Sequence, residues 1–172
     1  MRTPQPIPSQ KITPFLWFNG QAEEAARFYV SLFEDAAVTQ VVRCGPAGPG
    51  PEGSVLTVAF RLAGQGFVAL NGGPQFSFTE AVSFVVNCDN QAEIDDLWAR
   101  LSEGGTPSHC GWLKDRYGLS WQVVPAELPE LMGGPDAESV ARVMQALFSM
   151  EKLDLETLRQ AHAGSELVGG QA

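Results

Sequence analysis

Two stretches of this chain share one order of apolar runs and amphipathic segments. In the first stretch, residues 12–18 form an apolar and aromatic run that is short enough for a buried strand. Residues 21–33 then place their apolar side chains at the spacing of one helical face. A loop rich in proline and glycine at residues 44–53 separates the apolar segments that follow. Those segments predict three further strands, at residues 38–43, 54–62 and 66–71.

The same order of elements returns after residue 80. Residues 81–87 predict a strand, and Asn90 with Glu93 has the spacing of a capping box at the start of a helix. The helix is expected to stop at Gly104-Gly105. The other predicted features are an apolar stripe at Ile94, Leu97, Trp98 and Leu101 and strands at residues 109–113 and 119–124, joined by a turn at residues 114–118.

Three letters recur at the same place in both stretches. Gln21-Ala22-Glu23 and Gln91-Ala92-Glu93 lie 70 residues apart, each shortly after a strand that ends in Asn. Asn19-Gly20 breaks the first strand and is expected to cap the first helix. The sequence therefore predicts an α+β fold that contains two βαβββ modules.

The boundaries of these parts follow from the pattern. The modules are expected at residues 11–74 and 80–126, within one structural domain overall. Residues 1–10 are expected to form a flexible N-terminal arm, and residues 127–172 a helical C-terminal tail.

The tail is predicted to hold two amphipathic helices. Asp136 can cap the first, whose stripe includes Val140, Val143 and Leu147, and Asp154 can cap the second. Because such a tail must bury its stripe, it packs either on its own module or on a second subunit.

Residues 109–125, HCGWLKDRYGLSWQVVP, combine residue types that a plain strand or a solvated loop does not need. They hold two tryptophans, a cysteine, a Lys-Asp-Arg cluster and a Tyr-Gly turn. Apolar walls with a few polar tips are typical of a small-molecule pocket. The alternative is a hairpin whose tryptophans belong to the core and whose charges lie in its turn.

Composition limits the classes of function. The net charge of −9 argues against binding to nucleic acid or to an anionic membrane surface. No stretch approaches the roughly 20 apolar residues of a membrane span, and the polar start of the chain lacks the apolar run of a signal peptide. Three distant cysteines without a Cys-x-x-Cys pair suit a reducing compartment. A cytoplasmic protein is therefore expected.

Four motifs together resemble a known family. They are ITPFLWFNGQAEEAARFY, FVALNGGPQFSF, CGWLKDRYGLSWQVVP and the tail segment RVMQALFSMEKLDLETL. They are similar to the PhnB-like family, labelled 3-demethylubiquinone-9 3-methyltransferase, of the vicinal oxygen chelate superfamily of glyoxalases, bleomycin-resistance proteins and dioxygenases. The resemblance covers about residues 11–163. It implies an open, curved mixed sheet around a cleft, and a homodimer, but it fixes no reaction.

The resemblance also implies where a metal would bind. Superfamily enzymes hold a divalent ion with His or Glu side chains from the first and last strands of each module. The corresponding positions here carry no imidazole and no carboxylate, so we expect neither a metal nor another cofactor. These positions are Thr13 or Pro14, Leu70, Ser83 and Gln122.

The candidate ligand-binding residues are aromatic walls and polar orienting groups. Cys110 is a candidate for a catalytic group, because Lys114 or Arg116 could favour its thiolate; the alternative is a small buried hydrophobe. His109 could act as a general base, but adjacent strand residues point to opposite faces, so it is not expected to share a pocket with Cys110. The Lys-Asp-Arg cluster could bind an anionic group, or Asp115 could cap the turn. Asn71-Gly72-Gly73-Pro74 allows close approach of a ligand, or is a tight turn. The candidates are Phe15, Trp17, Asn71, Phe78, Ser83, Cys110, Trp112, Asp115, Trp121 and Gln122.

Three classes of function remain. The favoured one is a metal-free module that binds a small, partly aromatic or hydrophobic molecule. The second is an enzyme, either a methyltransferase by the family label or a lyase, isomerase or dioxygenase. The glycines at residues 71–74 are not followed directly by a helix, so they do not form the usual S-adenosylmethionine motif. The third is a structural or interaction protein whose cleft is incidental.

Overall fold

A computed structural model describes residues 10–164. Residues 1–9, which make up most of the predicted N-terminal arm, and residues 165–172 of the predicted tail lie outside the described residues. The chain divides into two compact units, of which the first ends at Phe78 and the second begins at Thr79. Within the described part, no helix combines the length and apolar character needed to cross a bilayer.

The first unit is a βαβββ module. Its four strands form one mixed sheet in the order β1-β4-β3-β2, in which β1 runs parallel to β4 and the other neighbours are antiparallel. Because β1 lies beside β4 at the edge of this sheet, the first and last strands of the module are neighbours. The elements are β1 (Phe15–Phe18), α1 (Ala22–Val30), β2 (Ala36–Arg43), β3 (Val55–Leu62) and β4 (Gln65–Asn71).

One face of this sheet packs against α1. The Tyr29 ring of α1 lies 6.1 Å from the Phe60 ring, which lies 5.3 Å from the Phe67 ring of the neighbouring strand. All three residues are buried. Because side chains alternate along a strand, Trp17 and Leu70, which are paired in register, point to the opposite face. We call this the open face of the first unit.

The start of α1 differs from the expectation that Asn19 caps it. The N-cap residue is Gln21, which makes no side-chain capping bond. Asn71 at the end of β4 takes this role instead, because the backbone N–H of Ala22 donates to its Oδ1 at 2.9 Å. The Asn71 Nδ2 donates to the backbone oxygen of Val55 at 3.0 Å. The amide of Asn71 therefore joins β4, β3 and α1.

The second unit repeats the βαβββ order and adds three helices. Its sheet order is β5-β8-β7-β6, with β5 parallel to β8 and the other neighbours antiparallel. The elements are β5 (Ser83–Cys88), α2 (Gln91–Ser102), β6 (Thr106–Pro107), β7 (Trp112–Lys114), β8 (Ser120–Pro125), α3 (Leu128–Met132), α4 (Ala137–Phe148) and α5 (Leu155–Ala163).

The predicted cap of α2 is confirmed in a modified form. The backbone N–H of Glu93 donates to Asn90 Oδ1 at 3.0 Å, as a capping box requires. The Glu93 carboxylate reaches one residue further back, where it accepts from the backbone N–H of Asp89 at 2.7 Å. Two exposed donors at the start of the helix are thereby satisfied.

The predicted strand at residues 109–113 is wrong in its first half. Cys110 and Gly111 both adopt positive φ, at 60° and 81°, so the chain turns there and β7 begins only at Trp112. A Cβ on Gly111 would lie 2.6 Å from the backbone oxygen of Val123. Close approach of two backbones therefore requires glycine at this position.

The helical tail packs on its own unit. Asp136 and Asp154 cap α4 and α5 through their side chains, as predicted. The backbone N–H groups of Cys110 and Gly111 donate to residues that follow α4, each at 2.8 Å. The apolar stripe of the tail closes over the end of β8. The buried members of this cluster are Val124, Val143, Leu147, Leu153 and Leu158.

The predicted fold class is confirmed. Each unit has a four-stranded mixed sheet that follows a βαβββ order, and helices complete an α+β fold. Among residues 10–164, the sequence pattern missed one helix, α3, which has only five residues.

Candidate functional site

The first unit contains a cavity of about 810 Å³ at the end of its sheet where β1 and β4 finish and β3 begins. Trp17 and Leu70 contribute one wall, and the loop between β2 and β3 contributes another. This loop is the predicted segment rich in proline and glycine. Such a volume falls within the range of small-molecule sites. The lining residues include Trp17, Glu23, Cys44, Ser54, Leu56 and Leu70.

Trp17 is fixed by contacts on three sides. Its Nε1–H donates to the backbone oxygen of Gly73 at 2.8 Å, and the Phe76 ring meets its indole edge-on at 4.9 Å. A Cβ built on Gly72 would collide with the indole. Gly72 therefore makes room for Trp17, and these contacts hold the indole in place as a wall of the cavity.

The polar groups around this cavity are mostly engaged within the protein. Glu23 forms ion pairs with Arg27 at 2.7 Å and with Arg43 at 3.6 Å. Asn71, a predicted orienting group, has both ends of its amide bonded to backbone. The free thiol of Cys44 lies buried in the wall. These satisfied groups leave an apolar and aromatic surface for a ligand.

The other two aromatic candidates of the first unit lie outside the cavity lining. Phe15 is on the same face as Trp17, two residues before it, with 60% of its surface exposed. The Phe78 ring packs edge-on against Phe18 at 5.2 Å. Phe18 belongs to the face that α1 covers.

The open face of the second unit, opposite α2, carries Ser83, Trp112 and Gln122. Gln122 on β8 pairs in register with Trp112 on β7, and its Nε2 donates to the Ser83 Oγ at 2.9 Å. The structure thus brings three predicted site residues together on one sheet face. Their polar contact is a neutral amide–hydroxyl bond.

This arrangement does not fit the divalent ion of the superfamily. Ser83 and Gln122 supply only neutral oxygens, and Leu70 supplies no donor atom. Transition metals bound by imidazole and carboxylate need such ligands. Within residues 10–164, the structure groups no three His, Cys, Asp or Glu side chains in a way that could hold a metal ion.

A second cavity, of about 400 Å³, lies beside Trp112. Lys114 and Ser120, which are paired in register, lie on the same sheet face as Trp112. The Lys114 ammonium forms an ion pair with Glu80, and this contact holds the pKa of the Glu80 carboxyl below its usual range. The lining residues are Glu80, Thr106, Pro107, Ser108, Trp112, Leu113, Lys114 and Ser120.

Asp115 and Trp121 are interior residues of the second unit, and each is 3% exposed. The Trp121 Nε1–H donates to Asp115 Oδ2 at 2.9 Å. The backbone N–H groups of Tyr117 and Leu119 donate to Asp115 Oδ1 at 2.8 and 3.1 Å. Of the two alternatives stated for these residues, the structure thus shows a buried carboxylate that caps the turn and a core tryptophan.

Cys110 has surroundings opposite to those of an activated thiol. Of the two alternatives stated for Cys110, the structure favours the buried hydrophobe, because burial raises the pKa of its thiol. The residue packs against the tail cluster, which includes Leu153. Burial also raises the pKa of Cys88, to about 12, with smaller contributions from the Glu93 and Asp89 charges.

Ser120, Glu80 and Cys44 line the cavities but were not among the predicted site residues. Ser120 could have been predicted from the sequence, because it lies two positions before Gln122 on the same strand and so shares its face. Glu80 and Cys44 had none, because they lie outside regular strands and only the folded chain brings them to the cavities.

Comparisons with known proteins agree with this architecture. Residues 10–124 match the sequence model of the 3-demethylubiquinone-9 3-methyltransferase family. A structure from Bacillus cereus, described as a PhnB protein, is 39% identical, with 67% of this chain and 99% of that chain covered and a TM-score of 0.62. A Pseudomonas aeruginosa protein is 23% identical, with 68% and 98% covered and a TM-score of 0.57.

Distant neighbours include a glyoxylase/bleomycin resistance protein/dioxygenase domain from Frankia, which is 14% identical, with 69% and 94% covered and a TM-score of 0.46. No curated protein matches the chain at a significant level. The fold is that of a PhnB protein of known structure, as the match to the Bacillus cereus protein shows. The chain belongs to the 3-demethylubiquinone-9 3-methyltransferase, or PhnB-like, family.

Proposed function

We propose that this protein binds a small, partly aromatic molecule without a metal ion. The observation that carries the proposal is the cavity of about 810 Å³ in the first unit. Its Trp17 wall is held by three contacts, and most of its polar groups are bonded within the protein. Such a site gains affinity by removing apolar ligand surface from water, since little side-chain freedom is lost on binding.

The second unit supports the proposal with a similar surface. Trp112 provides an aromatic wall, and the amide of Gln122 with the hydroxyl of Ser83 can orient a ligand through neutral hydrogen bonds. These residues hold the positions at which superfamily enzymes are expected to bind their metal. The donor atoms therefore favour recognition of an organic molecule over Lewis-acid chemistry.

Methyl transfer, which the family name suggests, has less support. The usual S-adenosylmethionine site has a glycine-rich turn between a strand and a helix. Here Gly72 and Gly73 follow β4, but the next regular element is the strand β5. In addition, the Trp17 indole packs directly against the backbone of Gly72, so this glycine does not lie open to a cofactor. No observation favours this reaction over binding.

The proposal is tested by titrating the full chain with indole, 2-naphthol and coumarin and recording the indole N–H signal of Trp17 by NMR. We expect saturable shifts and a higher melting temperature with at least one compound. Leu70→Trp should fill the cavity and weaken binding about tenfold or more by overlap with the ligand. Val68→Trp, on the same face of the same strand but outside the cavity lining, is the matched control.

Two results would contradict the proposal. One is the absence of any shift with all three compounds, and the other is equal binding to both tryptophan variants. Elemental analysis of protein purified without chelator adds an independent check. A stoichiometric divalent ion there would overturn the metal-free part of the proposal, even if binding persisted.

We further propose that the protein is a cytoplasmic homodimer. Three unpaired cysteines suit a reducing compartment. Val82 and Val85, on or beside the edge strand β5, are 65% and 49% exposed, and Phe15 of the edge strand β1 is 60% exposed. Exposed apolar side chains along unpaired strand edges are typical of protein contacts.

A further inference from the structure

We infer that the second cavity binds an aromatic carboxylate, whose carboxylate group replaces that of Glu80 on Lys114. The inference rests on the proposed function and deepens it, because it names a ligand class for the second unit. It arises from three features of this cavity: a charged pair at its rim, a buried hydroxyl without a partner and a tryptophan wall.

The charged pair provides the anion specificity. Lys114 contacts Glu80 in an ion pair whose side chains are 41% and 61% exposed. An exposed pair of this kind contributes little to stability, so its exchange for another carboxylate costs little. Glu80 thus occupies the place of a ligand carboxylate when no ligand is bound. A single cation matches a monoanion better than a phosphate dianion.

The hydroxyl of Ser120 provides a second recognition group. The residue is 1% exposed, and its Oγ has no hydrogen-bond partner in the described part of the chain. Buried polar groups are nearly always hydrogen-bonded, so such an atom indicates a partner that is supplied from outside. Ser120 lines the cavity and pairs in register with Lys114. A carboxylate at Lys114 therefore lies next to a donor.

Trp112 and the cavity volume define the rest of the ligand. Trp112 is half-buried beside this polar end, with Pro107 and Leu113 in the same lining. A planar ring system would stack on the indole and bury its apolar surface there. A cavity of about 400 Å³ accommodates one or two fused rings. The ligand class is therefore a small, flat aromatic acid.

The test compares 2-naphthoate with its neutral analogue 2-naphthamide, using calorimetry for affinity and the indole N–H signals for location. The Trp112 signal is identified from its loss in Trp112→Phe. We expect naphthoate to shift Trp112 and to bind about tenfold more tightly than the amide. Lys114→Met should remove that preference, whereas Glu80→Gln should tighten naphthoate binding several-fold because it removes the competing carboxylate.

Lys152→Met is the matched control, because Lys152 forms a similar exposed ion pair with Asp95 away from the cavity; it should leave binding unchanged. Ser120→Ala should weaken naphthoate about fivefold by loss of one hydrogen bond. Equal binding of acid and amide, or a shift at Trp17 alone, would overturn the inference and leave the proposed function standing. If neither the Trp17 nor the Trp112 indole N–H signal shifts with any charged or neutral compound, both the inference and the proposed function would be overturned.

Discussion

At the scale of single residues, Asp115 shows how a charged side chain becomes part of the interior. One of its oxygens accepts two backbone N–H groups of its own turn, and the other accepts the Trp121 indole. Buried charges persist only where such bonds replace water. Asp115 therefore determines both the shape of the turn between β7 and β8 and the orientation of the core tryptophan.

Asp115→Asn should be destabilising because its NH₂ group would replace the carboxylate oxygen that accepts the Trp121 N–H. The Asn carbonyl can still accept from the turn, but its NH₂ would face the Trp121 N–H, so two donors would meet. We expect a loss of about 2 kcal/mol in the free energy of unfolding measured with urea. In the background of Trp121→Phe, which removes the opposing donor, the same change should cost less than half as much.

Equal costs in both backgrounds would show that the donor contact is not responsible. Asp115→Ala provides the upper limit, because it leaves all three donors without that acceptor and should cost about 3 kcal/mol or more. Ligand binding at the second cavity should persist in Asp115→Asn below its unfolding midpoint, because Asp115 does not line that cavity.

The difficulty of predicting the site from the sequence is also visible at this scale. Trp112, Ser83 and Gln122 share a face, as strand alternation allows one to expect. Trp121 has the same residue type as Trp112 but lies on the opposite face, because β7 and β8 pair in the register that sets Trp112 beside Gln122. Cys110 and Gly111 at positive φ end the extended chain just before Trp112. A tertiary contact with the tail, at 2.8 Å to Met150, accompanies this turn, and no local pattern reports it.

At the scale of elements, the two copies of Gln-Ala-Glu have diverged in role. Gln21 in the first unit makes no capping bond and is exposed. Gln91 in the second unit accepts the backbone N–H of Leu155 at 2.8 Å and donates to the oxygen of Leu153 at 3.1 Å. A glutamine stands at this position of both repeats, but only Gln91 in the second unit attaches the start of α5 to α2.

The duplicated position offers a matched pair of variants. Gln91→Ala should lower the free energy of unfolding by about 1–2 kcal/mol, because two backbone groups of the tail lose their partner. Gln21→Ala should change it by less than about 0.5 kcal/mol, as is usual for an exposed side chain. Hydrogen exchange should quicken in α5 for the first variant only. Equal effects of the two variants would contradict the assigned role of Gln91.

Strand and helix positions were largely predictable because their apolar periodicity is strong. The predicted strand at residues 66–71 differs from β4 by one residue at its start. The caps at Asn90, Asp136 and Asp154 follow from local spacing alone. The cap of α1 did not, because its acceptor comes from Asn71, 49 residues further along the chain.

At the scale of the whole molecule, the tail answers one of the alternatives that the sequence left open. Its stripe is buried on its own unit through Val143, Leu147 and Leu158, so it does not need a second subunit to cover it. Phe148 is an exception, because 62% of its surface is exposed. Among the described residues, Phe148 is therefore one of several exposed apolar side chains available for a dimer contact, together with Val42, Phe76 and those near β1 and β5.

Light scattering should give about twice the chain mass of 18.5 kDa if the proposed homodimer forms. The double variant Val82→Glu/Val85→Glu should shift the protein toward monomer, because two charges would be buried in the contact. Phe148→Glu, an equally exposed apolar position on the tail, should leave the dimer intact. Dissociation by Phe148→Glu instead would place the contact at the tail, and a monomeric parent protein would contradict the proposal.

The amide of Asn71 has a consequence for the order of folding. Because Ala22 donates to Asn71, the first helical N–H of α1 gains its side-chain acceptor only when β4, the last strand of the module, is in place. Helix formation is costly at its first turn, and closing a long segment of chain is slow. The first unit should therefore assemble in one concerted event, with its helix and its final strand becoming protected on the same time scale.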